Sequence, residues 1–267
     1  MFLFGRQLKR KHFAEIPTYI NSLIRCFVIF ADPLWVIRSY LTQVPPQPHQ
    51  KVIALRNGKQ IFMSAQIHDV VTAFMIFARR EYGEINPGQT VVDIGGNTGI
   101  FSLYAAVSGA SKIAVYEPSS EACVTIRRNI AENGFDRITS LHQRCIDSES
   151  HHQVRFPTTS SIFNKPLTGD QAADSQPNEL VETISLHDIL QDFPNGLDML
   201  KIDCEGCEYT MLLDADPSLL RRINAIRLEY HDDKVDAMIA RLAQAGLKMT
   251  YHREDFLGAG MLFFERK

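Results

Sequence analysis

The chain has 267 residues, 45% of them apolar and 22% charged, and a formal net charge of −3. That length and composition suit one large α/β domain with an extension, or two small domains, whose core needs no disulfide or metal staple. The mild negative charge, with no polybasic run standing out, makes nucleic acid a poor candidate partner.

The first element is an apolar stretch over 19–41, interrupted by Arg25, Asp32, Pro33 and Arg38. A membrane-spanning helix wants about 20 mostly apolar residues with few charges, and this stretch fails in its middle. No small-residue cleavage site follows it, so it does not read as a signal peptide. Two short amphipathic helices broken at Asp32-Pro33 are expected instead. The first expectation is that they pack on the main domain or on a second copy in a homodimer. The second is peripheral contact with a membrane surface, helped by Arg6, Lys9, Arg10 and Lys11. Residues 44–50 carry Pro45, Pro46 and Pro48 and form a stiff connector. It divides an N-terminal helical extension, 1–50, from the main domain, 51–267.

Two short apolar runs flank Asn57-Gly58 and predict a hairpin. Ile67, Val70, Val71, Phe74, Phe77 and Ala78 then recur at helical spacing. From there strands and helices alternate: strand 90–94, helix 99–107, strand 112–116, helix 119–133 and strand 138–146. After a break come strand 197–202, helix 208–213, strand 223–230, a helix from Val235, and two closing strands, 247–252 and 261–265. Such alternation implies an α/β fold with a mostly parallel sheet and right-handed crossovers. The break, 151–182, is polar and long for a loop inside a compact domain, and is expected to be a substrate lid.

The chemistry is expected where the first central strand ends, in Asp93-Ile94-Gly95-Gly96-Asn97-Thr98-Gly99. A strand entering a glycine-rich turn before a helix places a nucleotide-like ligand at the strand's carboxyl end. The dinucleotide pattern G-x-G-x-x-G is incomplete, because its first glycine falls on Ile94. Asp93 suits a cationic ligand better than a diphosphate. S-adenosylmethionine, with an amino group, a sulfonium and no phosphate, fits that charge. Glu117, closing the next strand, is placed to accept ribose hydroxyls, a feature dinucleotide sites share.

Three runs, VVDIGGNTGIFSLYAA, YEPSSE and LKIDCEGCEYTML, together with residues 181–188 and the strand end Arg227-Leu228-Glu229-Tyr230-His231, resemble the FkbM family of S-adenosylmethionine-dependent methyltransferases. The resemblance covers 51–267. It implies a Rossmann-like class I methyltransferase fold, a seven-stranded sheet whose C-terminal hairpin is antiparallel. It also implies O-methylation of a sugar, glycan or secondary-metabolite hydroxyl, with S-adenosylmethionine held by Asp93, Gly95, Gly96, Asn97, Thr98, Gly99, Glu117, Pro118 and Asp203, and with Cys145 and Ile146 near adenine. The alternatives are a nucleotide-dependent oxidoreductase and a catalytically silent S-adenosylmethionine-binding module.

Methyl transfer to oxygen needs alignment, exclusion of water and a group that takes the acceptor proton. His231, Asp203 and Glu205 all fall at the carboxyl ends of the fourth and fifth strands. His231 is the favoured base, because an ordinary histidine pKa of about 6.5 lies nearer working pH than a carboxylate's. Asp203 would orient acceptor or cofactor, and Glu205 and Glu208 suit a helix start. A magnesium ion shared by Asp203, Glu205 and Asp232 is a weak alternative, and no metal is expected. Five cysteines at irregular spacing do not read as a disulfide framework and point to a reducing cytoplasm. Cys204 and Cys207, where the family commonly has small apolar residues, are expected to be buried as such, ahead of a redox pair or a metal site.

Overall fold

The computed structural model describes residues 2–3, 6–7, 16–44, 51–64, 67–158, 164–167, 177–231, 234–255 and 259–266. The N-terminal stretch forms α1 (Ile16–Ile29) and α2 (Pro33–Thr42). Asp32 separates them, its side chain accepting from the Trp35 backbone N–H, with Pro33 at the first helical position. The Asn57-Gly58 turn joins β1 (Val52–Ala54) to β2 (Gln60–Phe62) in an antiparallel hairpin. The helix at Ile67 begins as α3 (Ile67–Ala73) but widens into a π-helical turn, Phe74–Arg79, where helical spacing predicts a uniform α-helix. Both sides of that turn are used. Phe74, Phe77 and Ala78 are buried in the core, while Met75 and Ile76 reach a cavity wall.

The central elements are β3 (Thr90–Ile94), α4 (Ile100–Val107), β4 (Lys112–Tyr116), α5 (Ser120–Ala131) and β5 (Thr139–His142). The strand expected over 138–146 splits. Glu117 N–H still bonds the His142 carbonyl, but β4 ends at Tyr116 and offers no further partner. The chain therefore turns away and β6 (Cys145–Ile146) pairs elsewhere, in parallel with β8 (Asn178–Ile184). β8 also pairs antiparallel with β7 (Gln153–Pro157). So the stretch expected to be a loop carries a hairpin in a three-stranded sheet; residues 159–163 and 168–176 lie outside the described residues. Then follow α6 (Leu186–Gln191), β9 (Leu197–Ile202), α7 (Cys207–Leu213), α8 (Pro217–Leu220), β10 (Ile223–Tyr230), α9 (Val235–Gln244), β11 (Leu247–Glu254) and β12 (Gly260–Arg266).

Seven strands form one sheet in the order β11-β12-β10-β9-β3-β4-β5, parallel except for β12. This is the Rossmann-like methyltransferase arrangement expected of the chain. Strand alternation splits the core between the two sheet faces. Val91, Ile113, Val115 and Met199 pack with α1–α5, whereas Val92, Ile94, Leu200 and Ile202 pack with α6–α9. The N-terminal helices join the first of these cores through Cys26, Phe30 and Val36. Backbone bonds from Ala31 N to Ala54 O (2.9 Å) and from Arg56 N to Ile29 O (2.8 Å) tie them to β1. No helix among the described residues is long and apolar enough to cross a membrane.

Asn129 on α5 clamps three segments. Its Oδ1 accepts from Phe62 N–H (2.7 Å), and its Nδ2 donates to the carbonyls of Phe62 (2.9 Å) and Thr98 (2.8 Å), all buried. Asn129→Leu orphans these groups and should cost about 2–4 kcal/mol in urea unfolding; a loss below about 0.5 kcal/mol would show that the clamp does not matter.

Candidate active site

The parallel strands β3, β4, β9 and β10 deliver their carboxyl ends to one cavity of about 860 Å³, within the roughly 300–1,000 Å³ usual for small-molecule and cofactor sites. Its floor is the glycine loop. Gly95 has φ +72°, and a Cβ there would overlap the Asp203 backbone oxygen, so β3 and β9 can approach this closely only with glycine. Gly96 is closed in by Val115 and Ile126 in the same way. Ile94, Gly95, Gly96, Asn97 and Thr98 line the cavity, whereas Gly99, with φ +79° against Ile126, starts α4 outside it.

Asp93 corrects an expectation. It shares a sheet face with Val91 and lies under α4, fully buried and off the cavity wall. Its carboxylate accepts from Ser102 Oγ and pairs with Lys201 Nζ at 3.0 Å. Asp93 thus supports the loop and does not present its charge to a ligand. Lys201, not singled out as a site residue by the sequence, is the centre of this support. It sits opposite Asp93 in the β3–β9 register and also donates to the carbonyls of Ile94 (3.1 Å) and Gly95 (2.7 Å). Burial alone would lower its pKa, but Asp93 and then Asp203 outweigh burial and hold the ammonium charged.

Glu117 lies where the sequence reading expects it, at the cavity end of β4. One of its oxygens accepts from Asn97 N–H (2.8 Å) and the other from Ser119 N–H (2.9 Å). Burial pushes its carboxyl up to about 7, against those two hydrogen bonds. Pro118, Cys145, Ile146, Ala122 and Phe156 form the adjoining apolar wall. The β7–β8 hairpin thereby contributes Phe156, and Lys165 nearby lies 3.8 Å from Glu205.

The opposite end is crowded with charge. Asp203 accepts from the buried Tyr82 hydroxyl (2.8 Å) and lies 4.0 Å from Lys201 Nζ. Burial, and then Asp203, raise the Tyr82 pKa, so Tyr82 stays a donor. His231 Nδ1 bonds the fully buried Glu208 (3.1 Å), leaving Nε2 toward Glu205 (3.4 Å) and Glu229 (3.9 Å). Glu208 also accepts from Gly206 N–H (2.8 Å), which makes it both the expected helix-start acid and the group that orients the histidine. Burial lowers the His231 pKa, yet the Glu208 hydrogen bond and the charges of Glu205, Glu208 and Asp203 carry it up to about 9. That replaces the ordinary value near 6.5 assumed from sequence. Glu229, given no role from sequence, lines the cavity and is held up at about 8 by burial and then by Asp203. Burial and Asp203 also raise Glu205, against the pull of His231. Asp203, Glu229 and His231 offer ligand atoms within 4.8 Å of one another. A proton held on the imidazole competes with any cation there. Asp232 lies outside the described residues.

Cys204 and Cys207 line the cavity and are joined in a disulfide, so the expectation of two reduced, buried thiols is corrected. Glu205, with φ +55°, and Gly206, with φ +122°, fold the intervening turn so that the two Cα atoms lie 5.6 Å apart. The sequence argument for a reducing compartment loses that support. Cys26, Cys123 and Cys145 are free and buried, their thiols pushed up to about 12 by burial.

Comparison with known proteins now bears on this geometry. The methyltransferase FkbM domain model matches residues 93–249. The chain belongs to the FkbM methyltransferase family. The family match spans the glycine loop, Glu117, Asp203 and His231 together, and it sets the oxidoreductase alternative aside. The chain is similar to methyltransferase 1 of Beauveria bassiana, 25% identical over 187 residues, covering 62% of this chain and 75% of that protein. It is similar to the ribosomal protein L11 methyltransferase of Bacillus cereus, 26% identical over 119 residues, but spans 36% of that relative's length and 45% of its own. The solved methyltransferase FkbM of Methylobacillus flagellatus shares the fold at 14% identity with a TM-score of 0.51, covering 94% of this chain and 59% of that one.

The Lys201–Asp93 pair has a direct test. Lys201→Met leaves a buried carboxylate unpaired and should lose about 3–5 kcal/mol of stability, whereas Lys201→Met with Asp93→Asn should recover part of that loss. Equal unfolding midpoints for the wild type and the single variant would disprove the pairing role.

Proposed function

We propose that this family member is an S-adenosylmethionine-dependent O-methyltransferase that acts on a hydroxyl of a sugar, glycan or secondary metabolite. The observation that carries the reading is the buried Glu208–His231 pair, which aims imidazole Nε2 at the acidic end of the cavity that Glu117 closes at the other. The residues present fit the cofactor. Glu117 offers carboxylate oxygens to a ribose diol, the wall of Pro118, Cys145 and Ile146 suits adenine, and Asp203 provides a charge for the amino group. The loop residues Gly95, Gly96, Asn97 and Thr98 bring their backbone to the ligand.

When bound, the cofactor supplies a methyl group on a sulfonium leaving group. Glu208 fixes the imidazole tautomer, so that Nε2 is the nitrogen free to take the hydroxyl proton as the acceptor oxygen attacks. Glu205 and Glu229, close to that nitrogen, stabilise the imidazolium that forms. Asp203, held by Tyr82 and Lys201, orients the reacting partners. The β7–β8 hairpin and residues 164–166 serve as the lid that excludes water. The net charge of −3 favours a small-molecule or glycan acceptor over nucleic acid.

Two measurements test the two ends. Calorimetry should find S-adenosylmethionine binding that tightens as pH rises through about 7, because Glu117 accepts the diol best when ionised. Glu117→Ala should abolish binding, and unchanged affinity in that variant would remove Glu117 from the site. Turnover, assayed across a panel of glycan and small-molecule hydroxyl acceptors, should rise from pH 7 toward 9, since the base form of His231 appears only as pH approaches its raised pKa. Glu208→Gln should bring that limb down toward the ordinary histidine value of about 6.5. A limb that stays in place, or full activity in His231→Ala, excludes His231 as the base. Binding without turnover on every acceptor would favour the silent module.

A further inference from the structure

The outward side of the N-terminal helices is apolar in a way the fold does not use. On α1, Ile20, Leu23, Ile24, Phe27 and Val28 are 52, 37, 58, 51 and 68% exposed. They recur at i, i+3, i+4, i+7 and i+8, which is one continuous stripe of a helix. The opposite side is already occupied, with Ser22, Cys26 and Phe30 fully buried against the core. Leu34 and Leu41 on α2, and Val44 beyond it, extend the exposed apolar set. Eight of the thirteen large apolar side chains exposed among the described residues therefore fall between residues 20 and 44. Single exposed apolar residues are ordinary; a concentration of this kind marks an interaction surface. The one charged residue of α1, Arg25, is turned toward the core and donates to the Ala78 carbonyl (3.3 Å).

Charge selects the partner. The first fifteen residues contain Arg6, Lys9, Arg10 and Lys11 against Glu15 alone, four positive charges less one negative, or +3. With the whole chain at −3, the remaining residues carry −6. A cationic segment thus leads directly into an uncharged apolar stripe on an otherwise acidic protein. We propose that the outward face of α1 and α2 is seated on an anionic lipid bilayer surface, lying in the interface plane without crossing it. Apolar side chains enter the headgroup boundary while the basic segment finds its countercharge in the lipid phosphates. A second copy of the chain would cover the stripe but bring another +3 to it. This seating has a consequence for the cavity. α1 packs on the π-helical turn, with Phe30 and Phe77 ring centroids 6.3 Å apart, and that turn's Met75 and Ile76 line the cavity. The lipid-facing layer is then one helix away from the candidate active site.

The test is co-sedimentation of the full chain with phosphatidylcholine–phosphatidylglycerol vesicles and with phosphatidylcholine vesicles, alongside sedimentation equilibrium without lipid. Binding to the anionic vesicles, weakened by added salt, is expected. Phe27→Ser with Val28→Ser should weaken it by roughly tenfold or more, and alanine replacement of Lys9, Arg10 and Lys11 should erase the preference for anionic lipid. Because these side chains point away from the core, circular dichroism melting of the Phe27/Val28 variant should match the wild type. Absence of binding to either vesicle, or binding that the Phe27/Val28 variant retains in full, overturns the proposal. So does a lipid-free dimer that the same variant dissociates without any vesicle binding, which would make a second copy the occupant.

Discussion

One buried ammonium group organises this protein's central crevice. Lys201 lies where β3 and β9 end side by side, in a position with almost no solvent, pairs with Asp93 and donates hydrogen bonds to the carbonyls of Ile94 and Gly95. A charge so placed is tolerable only when paired and hydrogen-bonded. Asp93 meets that need from the neighbouring strand, and Ser102 steadies Asp93 from α4. The arrangement pins the start of the glycine loop to the fourth parallel strand. The absence of a side chain at Gly95 lets the Asp203 backbone come close, so that the glycine loop and the turn after β9 meet directly.

The cavity is polarised around that contact. At one end, Glu117 lies beside an apolar wall and is pushed toward neutrality by burial. At the other, the hydrogen bond to Glu208 and the charges of Glu205, Glu208 and Asp203 outweigh the desolvation of one imidazole. The same histidine, read as an isolated side chain, would titrate near 6.5; inside this field it holds its proton to a higher pH. Glu208 achieves this while contributing a hydrogen bond to the start of α7, so local helix geometry and imidazole orientation share one residue.

Family membership and fold agree, yet they speak to different parts of the molecule. The family match begins at Asp93 and ends in β11, a span that holds β4, β5, β9 and β10 whole and much of the crevice. The N-terminal helices and the β7–β8 hairpin lie on the outside of that frame or partly interrupt it. The hairpin lines the cavity through Phe156, and α3 with its π-helical turn, on which α1 packs, lines it through Thr72, Met75 and Ile76.

The α/β alternation, the broken N-terminal helix pair, the hairpin at Asn57-Gly58 and the glycine loop were all legible in the sequence, because each is a local pattern of apolar period, turn residue or cap. The place of Glu117 and of His231 was legible too, since a residue that closes a parallel strand must reach the ligand side of the sheet. Other features depended on tertiary contacts. Which way Asp93 faces, and that Lys201 is its partner, follow from strand register across more than a hundred residues. The division of 138–146 between two sheets follows from where β4 runs out of partners. The Cys204–Cys207 bond depends on a left-handed turn at Glu205 that no residue type there announces. The raised pKa of His231 comes from Glu208 on α7 and from Glu205 and Asp203 in the turn between β9 and α7, against desolvation. A linear sequence lists those charges, and only the folded chain sets the distances at which they act.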